Sequence, residues 1–237
     1  RKIKNLDDLL RLARINKSEL SEVKPLAEKS IMVQDIDKKF EKQFPKPEKD
    51  KRALKILLIN MSGYFSEEGD SQERVLMEPP LGLLALSRYL NREFRSKVNP
   101  LILKSRLDFD SFEELKEKID EFNPDIIGIS VMTFYKNFVH KGIKYLRENG
   151  FKKPIFMGGP YPTGDYGEAL KDENIDICML GEGEITLSDI VNKMINNNNC
   201  LPGKEILENI PGIAFRENDN FSRYQVYKQK EISRKIA

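Results

Sequence analysis

From Leu54 onward, short continuous apolar runs alternate with longer stretches of helical period. "LKILLIN" (54–60), "DIIGISVM" (125–132), "PIFMGGP" (154–160) and "IDICMLGEGE" (175–184) have no polar alternation, the pattern of strands buried on both faces. "VNPLILK" (98–104) reads as a strand near an edge, because Pro100 cannot donate to a ladder. Between them, "SFEELKEKIDEF" (111–122) opens with a Ser-x-x-Glu capping box, and "FYKNFVHKGIKYLREN" runs to Gly150 as a helix. "ITLSDIVNKMINN" predicts a last helix and "IPGIAFREN" an extra strand. "MEPPLGLLALSRYL" (77–90) is unusual, being apolar on nearly every side, with Pro80 and Gly82 in its first turn. Such a helix is expected to be buried nearly all round.

Strand–helix alternation predicts a parallel sheet covered on both faces. Right-handed crossovers then give an α/β fold: a doubly wound five-stranded parallel sheet, flavodoxin-like or Rossmann-like, in the order 2-1-3-4-5. Residues 1–52 read differently, as a helical extension and linker. Asn5 is a suitable N-cap, a second helical stretch reaches about Phe44 past Pro25, and "PKPEKDKR" has linker composition. The expected boundaries are 1–52 for the extension, 53–222 for the Rossmann-like domain, and 223–237 for a linker or the start of a further C-terminal domain.

Composition narrows the functions. Of 237 residues, 39% are hydrophobic and 33% charged, and no apolar run is long enough to span a membrane. The net charge of +2 divides into about +6 over residues 1–55, −8 over 56–222 and +4 over 223–237. The acidic middle argues against nucleic acid as a partner, and neither nucleic acid nor membrane is expected. Two cysteines, Cys178 and Cys200, suit a reducing, cytoplasmic setting and hold neither a disulfide framework nor a metal cluster. With His140 alone, chemistry that needs two histidines is excluded, and a mid-helix position makes His140 an ordinary helix residue.

In an open α/β sheet, ligands bind beyond the carboxyl ends of the strands. Here the first strand is followed by a loop of nineteen residues (61–79), the third by "SVMTF", the fourth by "GGPYPT" and the fifth by "GEGE". Glycines there let a flat or bulky ligand approach the backbone. A receiver-type acidic cluster, a phosphate loop of the flavodoxin kind and Gly-x-Gly-x-x-Gly after the first strand are all absent.

"EPPLGLLALSRYL", "PDIIGISVMT", "IFMGGPYPT" and "IDICMLGEGE" together resemble the cobalamin (B12)-binding domain at the N-terminus of many radical S-adenosylmethionine enzymes, over roughly Lys55 to Asn218. The resemblance implies a cofactor-binding set of Glu78, Pro79, Leu81, Gly82, Ser130, Met132, Thr133, Gly158, Gly159, Pro160, Gly181, Glu182 and Gly183. The long loop and the Glu78–Gly82 turn would form the rim under the corrin. Ser130 and Thr133 would line a slot for the nucleotide tail, with Gly158–Pro160 and Gly181–Gly183 close to it. On the same analogy, Gly159→Val should block the tail and leave the fold intact. No catalytic residue and no metal ligand is implied.

Two departures from the pattern matter. Methionine synthase and the mutases carry Asp-x-His-x-x-Gly after the first strand; this chain has no histidine there, which implies base-off cobalamin without a protein ligand below cobalt. Tyr161 also stands where the family often has His. The Cys-x-x-x-Cys-x-x-Cys motif for a [4Fe–4S] cluster is absent, so S-adenosylmethionine and the cluster would belong to a C-terminal radical domain of the same protein. The expected function is cobalamin binding within such an enzyme, a methyltransferase when full-length. The alternative is a docking or structural module that has lost cobalamin, signalled by a pocket plugged with Met132, Phe134 or Tyr161; a small-molecule sensor is a third reading.

Overall fold

The computed structural model describes residues 42, 48–66, 79–218 and 221–226; side chains of 217, 218 and 221–226 are outside the description. The chain divides into two units, Arg1–Glu48 and Lys49–Ala237. The helical extension predicted over 1–52 lies outside the described residues apart from 42 and 48–52, as do Glu78, most of the long loop and the tail beyond 226.

The strands of the second unit are β1 (Leu54–Asn60), β2 (Val98–Lys104), β3 (Ile126–Ser130), β4 (Ile155–Gly158), β5 (Ile177–Met179), β6 (Ile213–Asn218) and β7 (Phe221–Val226). Its helices are α1 (Leu81–Phe94), α2 (Phe112–Phe122), α3 (Lys136–Glu148), α4 (Pro160–Ala169), α5 (Gly183–Ile195) and the single turn α6 (Lys204–Leu207). The sheet order is β2-β1-β3-β4-β5-β6-β7. The first five strands are parallel, in the order expected from the sequence, and β6 and β7 are antiparallel additions. β2 lies at an edge, consistent with Pro100.

Alternation along the strands splits the core into two layers. Leu57, Ile59, Ile127, Ile129, Ile155 and Met157 face Leu115 and Ile119 of α2 and Val139, Ile143 and Leu146 of α3, with Tyr161 and Ala169 of α4. Leu54, Ile56, Leu58, Ile126, Phe156 and Met179 face Leu83 and Leu90 of α1 and Leu187, Ile190 and Val191 of α5. Phe65, the last described aromatic of the long loop, stacks edge-on against Phe112 and Phe138, both centroids at 4.9 Å. The near part of the loop is thus pinned to the α2–α3 side, and Ser62 N donates to Ser105 Oγ at 2.8 Å.

Four local expectations are corrected. Only Leu83 and Leu90 of α1 are buried, while Leu81 and Leu84 are exposed by 70% and 47%. One face of the helix packs on the sheet, with Leu86 and Phe94 partly buried beside it, and Leu81 and Leu84 are left to the exposed face. Pro80 is the N-cap of α1 rather than a residue of its first turn. "PYPT" is not a loop, because α4 starts at Pro160 directly after Gly159. The capping box of α2 is also displaced: Ser111 Oγ accepts from Glu114 N at 3.0 Å, but Glu114 Oε2 accepts from Asp110 N at 2.8 Å rather than from Ser111.

Ser111→Ala is expected to cost about 1 kcal/mol of unfolding free energy in urea, and Ser111→Asp to be nearly neutral.

Candidate functional site

Strand register builds the site floor. Leu58, Gly128 and Phe156 form one row across β1, β3 and β4; Asn60, Ser130 and Gly158 form the next row toward the carboxyl edge. Both rows face α1 and α5, by the same alternation that places Leu58 and Phe156 in that layer. Where neighbouring strands offer Leu and Phe, Gly128 and Gly158 offer no side chain. A cavity of about 180 Å³ opens there, beneath Leu83 and Leu86 of α1 and Leu187 of α5. A Cβ on Gly158 would meet only Met179 Cβ at 3.8 Å, so the space above it is open. The Ser130 backbone is held in the ladder between β1 and β4, while its hydroxyl makes no hydrogen bond to a described residue and lines the cavity floor.

Of the residues expected at the site, Gly82, Ser130, Gly158, Gly159, Gly181, Glu182 and Gly183 line this cavity. Pro79, Leu81, Met132, Thr133 and Pro160 do not line it and are exposed near the carboxyl edge; Glu78 lies outside the described residues. Sequence reasoning missed Gly128, although period-two alternation in "IIGIS" puts it on the face of Ser130. It also missed Leu86, Phe156, Met179 and Leu187, which form apolar walls and carry no signal apart from ordinary core residues.

The glycines do different work. Gly159 has φ +99°, and its absent Cβ would sit 3.1 Å from both the N and the O of Val131. That position is closed by neighbouring backbone, so Gly159→Val fails as a tail-blocking variant: the clash is with Val131, not with a ligand, and the fold itself is strained. Gly181 has φ +76°, and its N–H donates to Thr163 Oγ1 at 3.0 Å, fixing the turn between β5 and α5. Glu184 lies in the first turn of α5, where a carboxylate complements the helix dipole.

The mouth is apolar. Leu81 and Leu84 of α1 and Ile185 of α5 are exposed on one side, Met132 and Phe134 after β3 on the other. None fills the cavity. Tyr161 is 3% exposed and belongs to the opposite layer, with α3 and α4.

His140 is also on that far layer, and it is more than a plain helix residue. Its Nδ1 lies 2.6 Å from Asp172 Oδ2, and its Nε2 makes a longer 3.4 Å contact with the Tyr161 hydroxyl. Burial alone would raise the Asp172 carboxyl, but hydrogen bonds from His140 and from the N–H and side chain of Asn174 outweigh it and hold it below its ordinary 3.8. Burial first, then the nearby carboxylates of Glu168 and Asp165, push Tyr161 up to about 12, so its hydroxyl keeps its proton. Burial likewise pushes the Cys178 thiol up to about 12, which leaves it an inert core residue. Among the described residues no three His, Cys, Asp or Glu side chains converge on a metal site, and no helix is long and apolar enough to cross a membrane.

Comparison with known proteins identifies a family and a fold. The family model described as the B12 binding domain matches residues 72–191, half of the chain. An uncharacterized methyltransferase of Pyrococcus horikoshii is 31% identical over 144 residues, 59% of this chain and 28% of the relative. The anaerobic magnesium-protoporphyrin IX monomethyl ester cyclase of Synechocystis is 28% identical over 144 residues, 60% of this chain and 27% of the relative. The chain thus spans little more than a quarter of these relatives' length. Among solved structures, the cobalamin-dependent S-adenosylmethionine radical enzyme OxsB, with aqua-cobalamin and S-adenosylmethionine bound, superposes with a TM-score of 0.59 at 19% identity, over 76% of this chain and 23% of OxsB. The radical S-adenosylmethionine methyltransferase TsrM from Kitasatospora setae, with cobalamin and a [4Fe-4S] cluster bound, gives 0.57 at 16% identity, over 75% of this chain and 29% of TsrM. At these identities the likeness is one of fold.

Gly159→Ala is expected to lower unfolding free energy by about 1–3 kcal/mol, read from the urea midpoint, because alanine must adopt a glycine backbone against Val131.

Proposed function

Because the chain belongs to the B12-binding domain family, we propose that it holds cobalamin with the nucleotide tail in the glycine-floored cavity and the corrin on the apolar mouth. The observation that carries this reading is the missing side chain at Gly158, which leaves open space between the sheet and helices α1 and α5, while Leu58 takes the place a Gly128 side chain would occupy and floors the slot. A flat base can enter a slot of this kind and lie against Leu58, Phe156, Leu86 and Leu187, while Ser130 supplies a hydrogen bond. Leu81, Leu84, Met132 and Phe134 present an apolar surface suited to the edge of a corrin ring. Glu78, Pro79, Thr133 and Pro160 belong to the same rim in this reading.

The unplugged cavity favours this reading over a docking module that has lost its ligand. Met132 and Phe134 point out at the mouth by their exposure, and Tyr161 lies beneath the other face of the sheet.

We assign the chain to a larger radical S-adenosylmethionine enzyme of the cytoplasm, with S-adenosylmethionine and the [4Fe–4S] cluster held by a further, C-terminal domain. Methyl transfer is the reaction we favour, in keeping with the methyltransferase among the relatives. Bound cobalamin supplies a cobalt centre able to carry a methyl group; the residues of this chain bind it, orient it and cover one of its faces. In this arrangement the expected 53–222 is the binding domain and 1–52 an accessory extension, but β7 continues the sheet to Val226, so the passage to the next domain begins after 226 rather than at 223. The cofactor sits base-off with no histidine below cobalt, since His140 is tied to Asp172 on the far side of the sheet.

Gly158→Val fills the slot without backbone strain. It is expected to weaken hydroxocobalamin binding about tenfold or more in an absorbance titration. Stability should stay within about 1 kcal/mol of the parent. Unchanged affinity would place the tail elsewhere. Electron paramagnetic resonance of the loaded, reduced protein is expected to show cobalt lines without nitrogen splitting; a three-fold nitrogen splitting would contradict the base-off, histidine-free assignment.

A further inference from the structure

The polar cluster on the α3–α4 face has no place in the cofactor slot, yet it is built into the wall of that slot. Tyr161 N–H donates to Val131 O at 3.1 Å, and Val131 N–H donates to Gly158 O at 2.9 Å. Gly159 packs against the same Val131 backbone with no room for a Cβ. Ser130, Val131 and Gly158–Tyr161 are therefore one close-packed knot: its cavity side is the slot floor, and its far side is the Tyr161 ring. Displacing Tyr161 displaces the floor.

What holds Tyr161 is a chain of polar contacts. Its hydroxyl meets His140 Nε2, His140 Nδ1 meets Asp172 Oδ2, and Asp172 Oδ1 accepts from Asn174 N at 3.0 Å and from Asn174 Nδ2 at 2.8 Å. The imidazole donates from Nδ1 to the Asp172 carboxylate, and the Tyr161 hydroxyl, which keeps its proton, is both a donor and an acceptor beside Nε2. Lys136 Nζ covers the Tyr161 ring at 5.2 Å from its centroid. A half-buried histidine–carboxylate pair gains little net stability over an apolar filling, so its contribution here is to fix one geometry.

We infer that His140 and Asp172 are positioning residues for the cobalamin tail slot, acting through Tyr161 from the opposite face of the sheet. This rests on the cobalamin reading given above. The network is read by the ligand without touching it: occupying the slot shifts the Ser130–Gly158 floor, and the shift reaches His140 through Val131 and Tyr161.

His140 is the sole histidine of the chain, so its ring protons are a unique nuclear magnetic resonance reporter. Hydroxocobalamin added to the 237-residue chain is expected to move the His140 ring resonances, saturating near one equivalent. Tyr161→Phe removes only the hydroxyl; it should abolish most of that movement and weaken cobalamin about three- to tenfold, with the thermal midpoint within about 3 °C of the parent. His140→Ala should weaken binding similarly, and His140→Gln, whose amide can still bridge Asp172 and Tyr161, should restore it to within about twofold. If the parent binds cobalamin while the His140 resonances stay fixed and Tyr161→Phe binds as the parent does, the inference is overturned and the cobalamin reading stands. If the parent itself does not bind, the cobalamin reading fails, and this inference with it.

Discussion

Gly128 and Gly158 stand where β3 and β4 face helices α1 and α5, and neither has a side chain to fill the layer between sheet and helices. A parallel sheet buried on both faces ordinarily closes that layer with Val, Ile and Leu, as β1 does with Leu54, Ile56 and Leu58. Leu58 Cδ2 closes on Gly128, 3.1 Å from where a Cβ would stand, but in so closely packed an interior the missing side chain of Gly158 is not made good by a neighbour and remains as space. The rest of the site depends on that constraint. Ser130 stands in the row with Gly158, the amino ends of α1 and α5 frame the opening, and the turns after β4 and β5 keep the frame clear by adopting glycine backbone at Gly159 and Gly181.

The two faces of the sheet then take separate parts. The α1–α5 face is hollow at its carboxyl end and apolar at its mouth, where Leu81, Leu84, Ile185, Met132 and Phe134 are exposed. The α2–α4 face is filled against the sheet and opens only outward, in a surface cleft beside His140 and Asp172; aromatic packing of Phe65, Phe112 and Phe138 holds the start of the long loop, and a histidine–aspartate–tyrosine chain holds the start of α4. The ligand would be received on the hollow face, and the filled face would keep its floor in register. Val131 joins the two, because its backbone is bonded to Gly158 on one side and to Tyr161 on the other.

Much of this was legible in the sequence. Continuous apolar strands and right-handed crossovers were enough for the 2-1-3-4-5 order, and Pro100 for the edge position of β2. The glycines at successive strand ends point to the edge of the sheet where the cavity lies. What stayed hidden depends on which way each missing side chain would point. Gly158 and Gly159 are adjacent and look alike, but alternation turns one toward the cavity and a positive φ turns the other into Val131. Gly128 was overlooked because it sits inside an apolar run rather than at its end. The exposure of α1 was misjudged for a related reason: an apolar helix surface reads the same whether it is covered by its own domain or left open at a mouth. His140 could not be paired with Asp172 in advance, since thirty-two positions separate them and only the α3–α4 packing brings them together.

The central claim is that the nucleotide tail, rather than the corrin alone, is what this fold was shaped to receive. Parallel titrations with hydroxocobalamin and with cobinamide, which keeps the corrin but lacks the tail, test it directly. The account predicts one equivalent of cobalamin bound, at least about a hundredfold more tightly than cobinamide. Equal affinity for the two, or no retention of either by the folded protein, would contradict it.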